Sequence, residues 1–600
     1  MNTLAAYVLA APLAVAVTAA TIRPQPEAGA AAPGGEAAAW IRSKAVAFAT
    51  SEAGNGFDDL KGLDAIVGDA RIVSLGEPTH GTREAFQMKH RLLEYLVETK
   101  GFSIFSIEAN MPEAYALNTY VIEGRGDPKE LIGGMYFWTW NTEEVLAMVE
   151  WMRAWNERNP PGAGRPRLRF TGFDMQHPRL ASRHVSEFLR AHDPEHHPRA
   201  RADLDALDAY NPYSSALGYG CATGRFPVAE AAGKKIRFTG WIKTRGVDDA
   251  WAGLWWRVEG PTPFFDNMID RGPRGTGDWK EVEIETTVPA DAKAIYFGLV
   301  KPGAGAAWFD ALRIEIDGVE WTNPDFDLDF EGPQPRGIIA ADPSRGPPSP
   351  SYPGALDDQE ARSGRSSFRL EPVTNPAALT PADAAARAKG IVDHMTGARE
   401  AYLKQADARA VDWAIQNARI VHQWTGLSSA LGNSFDHRDR CMADNVEWIL
   451  AQDPGEKIVL WAHNGHVGRA ELWGQKWMGS GLERKFPGQM VVFGFATGHG
   501  AYTAMGGAER PGLRTDNALA PGPEGSVERV LASAGLPRML LDIRGARADD
   551  AGSAWATRSA LMRSIGALAM EQQFFPCVPK EMFDVLVWQE ATTASRPLGK

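Results

Sequence analysis

A short apolar run, Val73-Ser74-Leu75, ends abruptly in Gly-Glu-Pro-Thr-His-Gly (76–81), which sets a carboxylate at Glu77 and an imidazole at His80. The arrangement returns along the chain. Glu108 follows "FSIFSI" (102–107), Asp174 follows "LRFTGF" (168–173), and His463 with His466 closes "IVLWAH" (458–463). A carboxylate buried at a strand end is costly unless it is paired or hydrogen-bonded, so several of them converging imply a shared polar site. Carboxylates beside histidines suit two chemistries. One is hydrolysis, with a histidine as general base near its working pKa. Glu77 or Glu108 then holds the imidazole tautomer and stabilises the imidazolium, while His463, His466 or Arg438 stabilises the developing oxyanion. The other is metal chemistry, because Glu77, His80, Glu108, His463 and His466 are competent ligands for zinc or manganese. No GxSxG elbow is present, and Cys221, Cys441 and Cys577 lie outside any CxxC pattern. Water is therefore the expected nucleophile.

The elements that must position these groups are legible as strands and helices. The runs 71–75, 102–107 and 168–173 are short, rich in β-branched or aromatic residues, and bounded by glycine or polar residues. Phe86, His90, Leu93 and Val97 recur at helical spacing as far as Lys100, and Gly101 stands where a C-cap glycine belongs. His90 is expected on the core face of that helix. Strand–helix–strand repetition predicts a mostly parallel sheet covered by helices, with ligands gathering at the carboxyl ends of its strands. Gly76 and Gly81 are expected to let the backbone turn and approach a substrate, with Pro78 stiffening the turn. The same grammar returns late in the chain, with strands expected at 458–463, 490–496, 539–544 and 583–589, after a helical stretch over Ala384–Leu450.

Between these halves the pattern changes. Ile236/Phe238, Val282/Ile284/Thr286 and Leu312/Ile314/Ile316 alternate with period two, and seven tryptophans (241, 251, 255, 256, 279, 308, 321) crowd the stretch. Short alternating strands predict an antiparallel sandwich. Segments such as "GKKIRFTGWIKT" and "GAAWFDALRIEI" look like jelly-roll carbohydrate-binding modules, although "DFDLDFEG" and "SGRSSFRLEP" here come last. Carbohydrate is thus a candidate partner, against packing as the plainer use of the tryptophans. The expected organisation is a signal peptide and leader over 1–36, the first half of an α/β hydrolase domain over 37–205, and a β-sandwich over 211–375. The helical segment and second α/β half follow over 380–598. "DPSRGPPSPSYPG" (342–354) reads as an exposed loop. The apolar stretch from Leu4 to Ala20 predicts export without stable membrane insertion. A net charge of −12 without a basic run argues against nucleic acid as a partner.

"GEPTHGTREAFQMKHRLLEYLVETKGFSIFSIEANMPEA" (76–114) resembles the hallmark of the erythromycin esterase family. So do "FWTWNTEEVLAMVEWMRAWN" (137–156), "FTGFDMQ" (170–176), "RDRCMADNVEWIL" (438–450), "WAHNGHVGR" (461–469) and "GSVERVLASAG" (525–535). The resemblance implies that His80 is the essential base acting on water and Glu108 a second essential carboxylate. It implies that Glu77, His463 and His466 complete the catalytic set and that no cofactor is needed. Arg438 matches a supporting arginine and is assigned with Lys89 and Asp174 to substrate binding. Some macrolide-hydrolysing members carry arginine at the position of Lys89, and lysine lacks its two-pronged contact. The implied substrate is a small-molecule ester or lactone. A metal-dependent hydrolase using the same residues, and an inactive binding protein using the β module, are the alternatives.

Overall fold

The structure is a computed structural model describing residues 35–212, 219–248, 250–260, 264–338, 352–372, 379–428, 433–471, 475–506, 510 and 512–599. The leader and most of the proline-rich loop lie outside the described residues. The chain forms two compact units. One comprises the described residues up to Ala200, Lys389–Leu427 and the chain from Asn433 onward; the other is Arg201–Ala388 with Ser428, and it interrupts the first in sequence.

The first unit is built on strands β1 (Val46–Ala47), β2 (Ile72–Leu75), β3 (Ile104–Asn110) and β4 (Arg169–Asp174). In the second unit follow β5 (Tyr219–Phe226), β6 (Lys235–Val247), β7 (Gly253–Glu259), β8 (Phe264–Asp266), β9 (Gly275–Thr287) and β10 (Ala294–Pro302). That unit continues with β11 (Ala306–Ile316), β12 (Val319–Glu320), β13 (Gly354–Asp357) and β14 (Ser367–Leu370). The first unit resumes with β15 (Ile458–Trp461), β16 (Met490–Met505), β17 (Leu513–Ala518), β18 (Arg538–Asp542), β19 (Ala560–Arg563), β20 (Phe574–Cys577) and β21 (Val585–Thr592).

The main sheet runs β1-β18-β21-β16-β2-β15-β3-β4, with β17 added to β16. The six strands from β21 to β4 are parallel, while the β18 and β1 edge and the added β17 pair antiparallel. Every residue of β2, β3 and β15 is buried, which is why these strands read as apolar runs rather than alternations. Helices supply the cover. Arg83–Lys100 buries Phe86, Leu93 and Val97 against the sheet core and ends on Gly101 in the left-handed region, φ 72°. The stretch expected to be helical contains Pro381–Gly397, Ala408–Thr425 and Ser434–Gln452. It is therefore an α/β fold with a mostly parallel sheet.

The second unit pairs a sheet of order β5-β10-β7-β8 with one of order β13-β14-β11-β6-β9, and β12 joins β11. Phe297 and Trp256 from the first sheet share a core with Phe238, Ile284 and Phe309 from the second. Trp255, Trp256, Trp308 and Trp321 are buried, while Trp241, Trp251 and Trp279 are half-buried.

Candidate active site

Strands β2, β15, β3 and β4 are neighbours in that order, so their carboxyl ends bring Glu77, His463, Glu108 and Asp174 to one edge of the sheet. Glu77 has no exposure at all. Its Oε1 accepts from His80 Nδ1 at 2.6 Å. Its Oε2 accepts from Lys89 Nζ and, at 2.7 Å, from Trp461 Nε1. Burial alone would raise the Glu77 carboxyl, but the Lys89 charge and the His80 bond outweigh it and hold the group below the usual range. An ionised carboxylate only accepts, so the proton of neutral His80 sits on Nδ1 and the lone pair on Nε2 faces away from Glu77. Edge-on contact with Trp140, ring centroids 6.0 Å apart, fixes the imidazole from a second side.

Glu108 stands where β3 slips register against β4, between Ile107 and Asn110. Such a bulge re-aims a strand side chain. Its Oε1 accepts from Arg438 Nη2 at 2.7 Å and lies 3.3 Å from His466 Nε2; its Oε2 accepts from the His463 backbone N–H at 3.0 Å. Burial opposes its ionisation, but His466 and Arg438 hold it well below the usual range. Arg438 also grips Asp174 with two prongs, Nε to Oδ1 at 3.1 Å and Nη2 to Oδ2 at 2.7 Å. His466 Nδ1 bonds Asp439 Oδ1 at 2.8 Å. Burial would lower His466, but Asp439 and Glu108 on either side push it up to about 10, so it is an imidazolium. As a donor at Nε2 it gains nothing from Arg438 Nη1, 3.2 Å away. The carboxylates of Asp174, Glu108 and Asp439 offset that repulsion between cations.

His463 differs from its neighbour. It caps the turn Asn464–Val467, with Nδ1 accepting from the Gly465 N–H at 3.2 Å. Its proton is therefore on Nε2, which is buried and without a hydrogen-bond partner among the described residues. Burial, together with the nearby His80 and His466, lowers it to about 3, so the ring is neutral. The His80 and His463 rings lie 5.2 Å apart. A free lone pair thus stands beside an unpaired N–H donor, and buried donors left unpaired in native proteins call for an explanation.

The donor set fits a metal poorly. Glu77 is saturated by three donors, Glu108 by Arg438, His466 and a backbone N–H, and His466 is held protonated. No group of three or more His, Cys, Asp or Glu side chains among the described residues is placed to hold an ion. Two residues expected at the substrate are fully buried. Lys89 is fully buried behind Glu77, its ammonium 4.2 Å from the Trp461 ring, and Asp174 is fully buried beneath Arg438. Both are paired with other site residues, Lys89 with Glu77 and Asp174 with Arg438. Gly76 and Gly81 are small for a different reason than close substrate approach. A Cβ on Gly76 would meet Asn464 Oδ1 at 2.2 Å, and one on Gly81 the Thr503 carbonyl at 2.0 Å. Asp439, Trp461 and Trp140 escaped sequence reasoning, although a buried tryptophan N–H needs a partner and Trp140 finds the Glu108 carbonyl at 2.9 Å.

Comparison with known proteins bears on the family and the fold. Residues 97–237 and 356–592 match the erythromycin esterase family. Erythromycin esterase type II of Escherichia coli is 30% identical over 154 residues, 26% of this chain and 35% of that protein. A Bacillus cereus protein of known structure superposes with a TM-score of 0.60 at 17% identity, covering 94% of this chain and 99% of that one. The erythromycin esterase EreC, in an open conformation, gives a TM-score of 0.50 at 12% identity, with 90% and 95% covered. The shared fold and the matched residues place this chain in the erythromycin esterase family.

Proposed function

We propose that this hydrolase cleaves an ester or lactone with a water molecule activated by His80. The supporting observation is the pair of facing imidazoles, one with a free Nε2 lone pair fixed by Glu77, the other with an unpaired Nε2–H. Water bound at His80 Nε2 attacks the carbonyl carbon as its proton passes to the imidazole. Glu77 stabilises the imidazolium, as a triad carboxylate does. The carbonyl oxygen gains charge and takes up the His463 Nε2–H donor, a preorganised bond realised only as charge develops. His80 then returns its proton to the departing alkoxide, which leaves a carboxylic acid and an alcohol. Glu108 acts through the His463 backbone N–H and His466, fixing where that donor stands.

Because the oxygens of Glu77 and Glu108 and both ring nitrogens of His466 already have partners within the chain, we assign the reaction no metal. The tryptophans of the β-sandwich are buried or half-buried, so we assign them to packing rather than to a sugar-binding platform. Purified protein screened against esters and lactones, macrolides included, tests the reading. His80→Ala should lower kcat by roughly 10²–10⁴-fold on any substrate found; near wild-type turnover in that variant would end it.

A further inference from the structure

The helix Met111–Glu123, which follows β3, carries a buried carboxyl that the hydrolytic chemistry does not use. Glu113 is 3% exposed, and neither of its oxygens has a hydrogen-bond partner among the described residues. It lines a cavity of about 360 Å³ together with Glu130, Leu131, Tyr136, Arg179 and Arg183. Buried polar groups in native proteins are nearly always paired, so an unpaired carboxyl facing a cavity points to a ligand that supplies the partner. Burial pushes this carboxyl up to about 8, against smaller pulls from its own backbone and Arg183. Two further anomalies adjoin it. Tyr136 holds φ at 68°, a strained region for a bulky residue, and its half-exposed ring packs on His177 with centroids 4.7 Å apart. His177 Nδ1 is itself buried and unpartnered among the described residues.

The cavity shares the catalytic end of the sheet. Glu113 opens the helix that follows Glu108, and Arg179 and Arg183 open the helix that follows Asp174. Tyr136 leads into Trp140, which packs against His80. We propose that this cavity is a subsite for a neutral, hydroxyl-bearing ring of the substrate, about one sugar unit in size, with Glu113 hydrogen-bonding a ring hydroxyl and Tyr136 covering an apolar face. A neutral carboxyl both donates and accepts, as a hydroxyl does. A cationic group would meet Arg179 and Arg183, and an anionic one Glu113 and Glu130. The volume lies at the small end of ligand sites, about 300–1,000 Å³, which suits one ring. The inference rests on the hydrolase reading only in taking the ring to be part of the substrate.

Saturation-transfer NMR of the whole chain with methyl glucoside, galactoside and mannoside tests it. Binding of at least one glycoside is expected in the wild type, in His80→Ala and in Glu113→Gln, whose amide keeps a donor and an acceptor. Glu113→Leu should bind on the order of tenfold more weakly. Leucine replaces an unpaired buried carboxyl, so this variant should fold at least as well as the wild type. The charged and titratable groups facing Glu113 are Glu130, Tyr136, Arg179, Arg183 and the adjoining His177. Burial places the titration of Glu113 itself at about pH 8. Wild-type affinity should therefore fall above that pH and Glu113→Gln affinity should not. Failure of all three glycosides to bind the wild type, or equal binding by wild type and Glu113→Leu, would overturn the subsite. Glycoside binding by a wild type that hydrolyses nothing would instead sink the hydrolase reading and leave the subsite standing.

Discussion

Lys89 offers the sharpest test of how the site is held. Its ammonium is the only full positive charge among the three donors to Glu77, the others being His80 and Trp461. Lys89→Met removes that charge and leaves a carboxylate with no solvent exposure facing two neutral donors. Breaking a buried ion pair from one side costs about 3–5 kcal/mol, a large share of the roughly 5–15 kcal/mol that stabilises a typical domain. Glu77 can escape part of that cost by taking up a proton, but a neutral carboxyl no longer stabilises an imidazolium. Turnover should fall by up to about 10⁴-fold, the scale seen when a triad carboxylate becomes an amide. The double variant Lys89→Met/Glu77→Gln removes both charges and should recover most of the lost stability and none of the lost turnover. Burial also lowers Lys89 to about 8, even against the pull of Glu77. With p-nitrophenyl acetate as probe, wild-type kcat/KM should therefore decline above about pH 8, and in Lys89→Arg, which does not titrate there, the decline should move to higher pH. Denaturation midpoints and pH–rate profiles of the variants read these effects. Wild-type turnover in Lys89→Met, with an unmoved alkaline limb, would refute the account.

Further expectations follow from neighbouring groups. His466 is raised to about 10 in the folded chain against 6.5 unfolded, so its contribution to stability is complete below about pH 6.5 and is lost as pH rises through 10. Asp439→Asn should remove most of that dependence, bring the His466 titration seen by NMR down toward neutrality, and lower turnover. His90 is lowered to about 4 by burial, so it destabilises the fold progressively from pH 6.5 down to pH 4, by about 3 kcal/mol in full. His90→Leu should abolish that acid sensitivity in urea titrations and leave turnover within about twofold. Elemental analysis of purified protein should find less than one tightly held zinc or manganese per chain. Activity lost on chelation and regained with metal would overturn the metal-free mechanism.

Much of the site was legible because strand ends advertise themselves. An all-buried parallel strand has no reason to end in Glu77, Glu108, Asp174 or His463 unless its crevice needs them, and these four do meet. What the sequence hides is lateral order. Nothing in "IVLWAH" says that β15, from the far end of the chain, slots between β2 and β3, because parallel pairing leaves no turn to fix the neighbour. The roles of Lys89 and Asp174 were hidden for a related reason. Charge suggests contact with a ligand, and only packing shows that these charges face other charges. Asp439 was overlooked beside Arg438 because adjacent helical positions point about 100° apart. Both reach the site here, since Arg438 turns toward Asp174 and Glu108 while Asp439 turns toward His466 and the Met478 N–H. Gly76 and Gly81 look like turn residues but are dictated by the backbone of β16 and by Asn464, contacts that exist only once the sheet is assembled.

The three buried glutamates along this edge show what decides a carboxyl's role. Burial pushes all three toward the neutral form. Lys89 reverses that push at Glu77, and Arg438 with His466 reverses it at Glu108, so each remains an anion able to orient an imidazole or its backbone. At Glu113 the pulls of its own backbone and of Arg183 are smaller than the effect of burial, and burial prevails. Adjacent carboxyls whose surroundings drive them apart acquire different functions. Two fixed anions suit the proton transfers proposed at His80 and the placing of His463. A neutral carboxyl that still lacks partners belongs with recognition, because it can gain hydrogen bonds from a ligand without first losing a counter-ion.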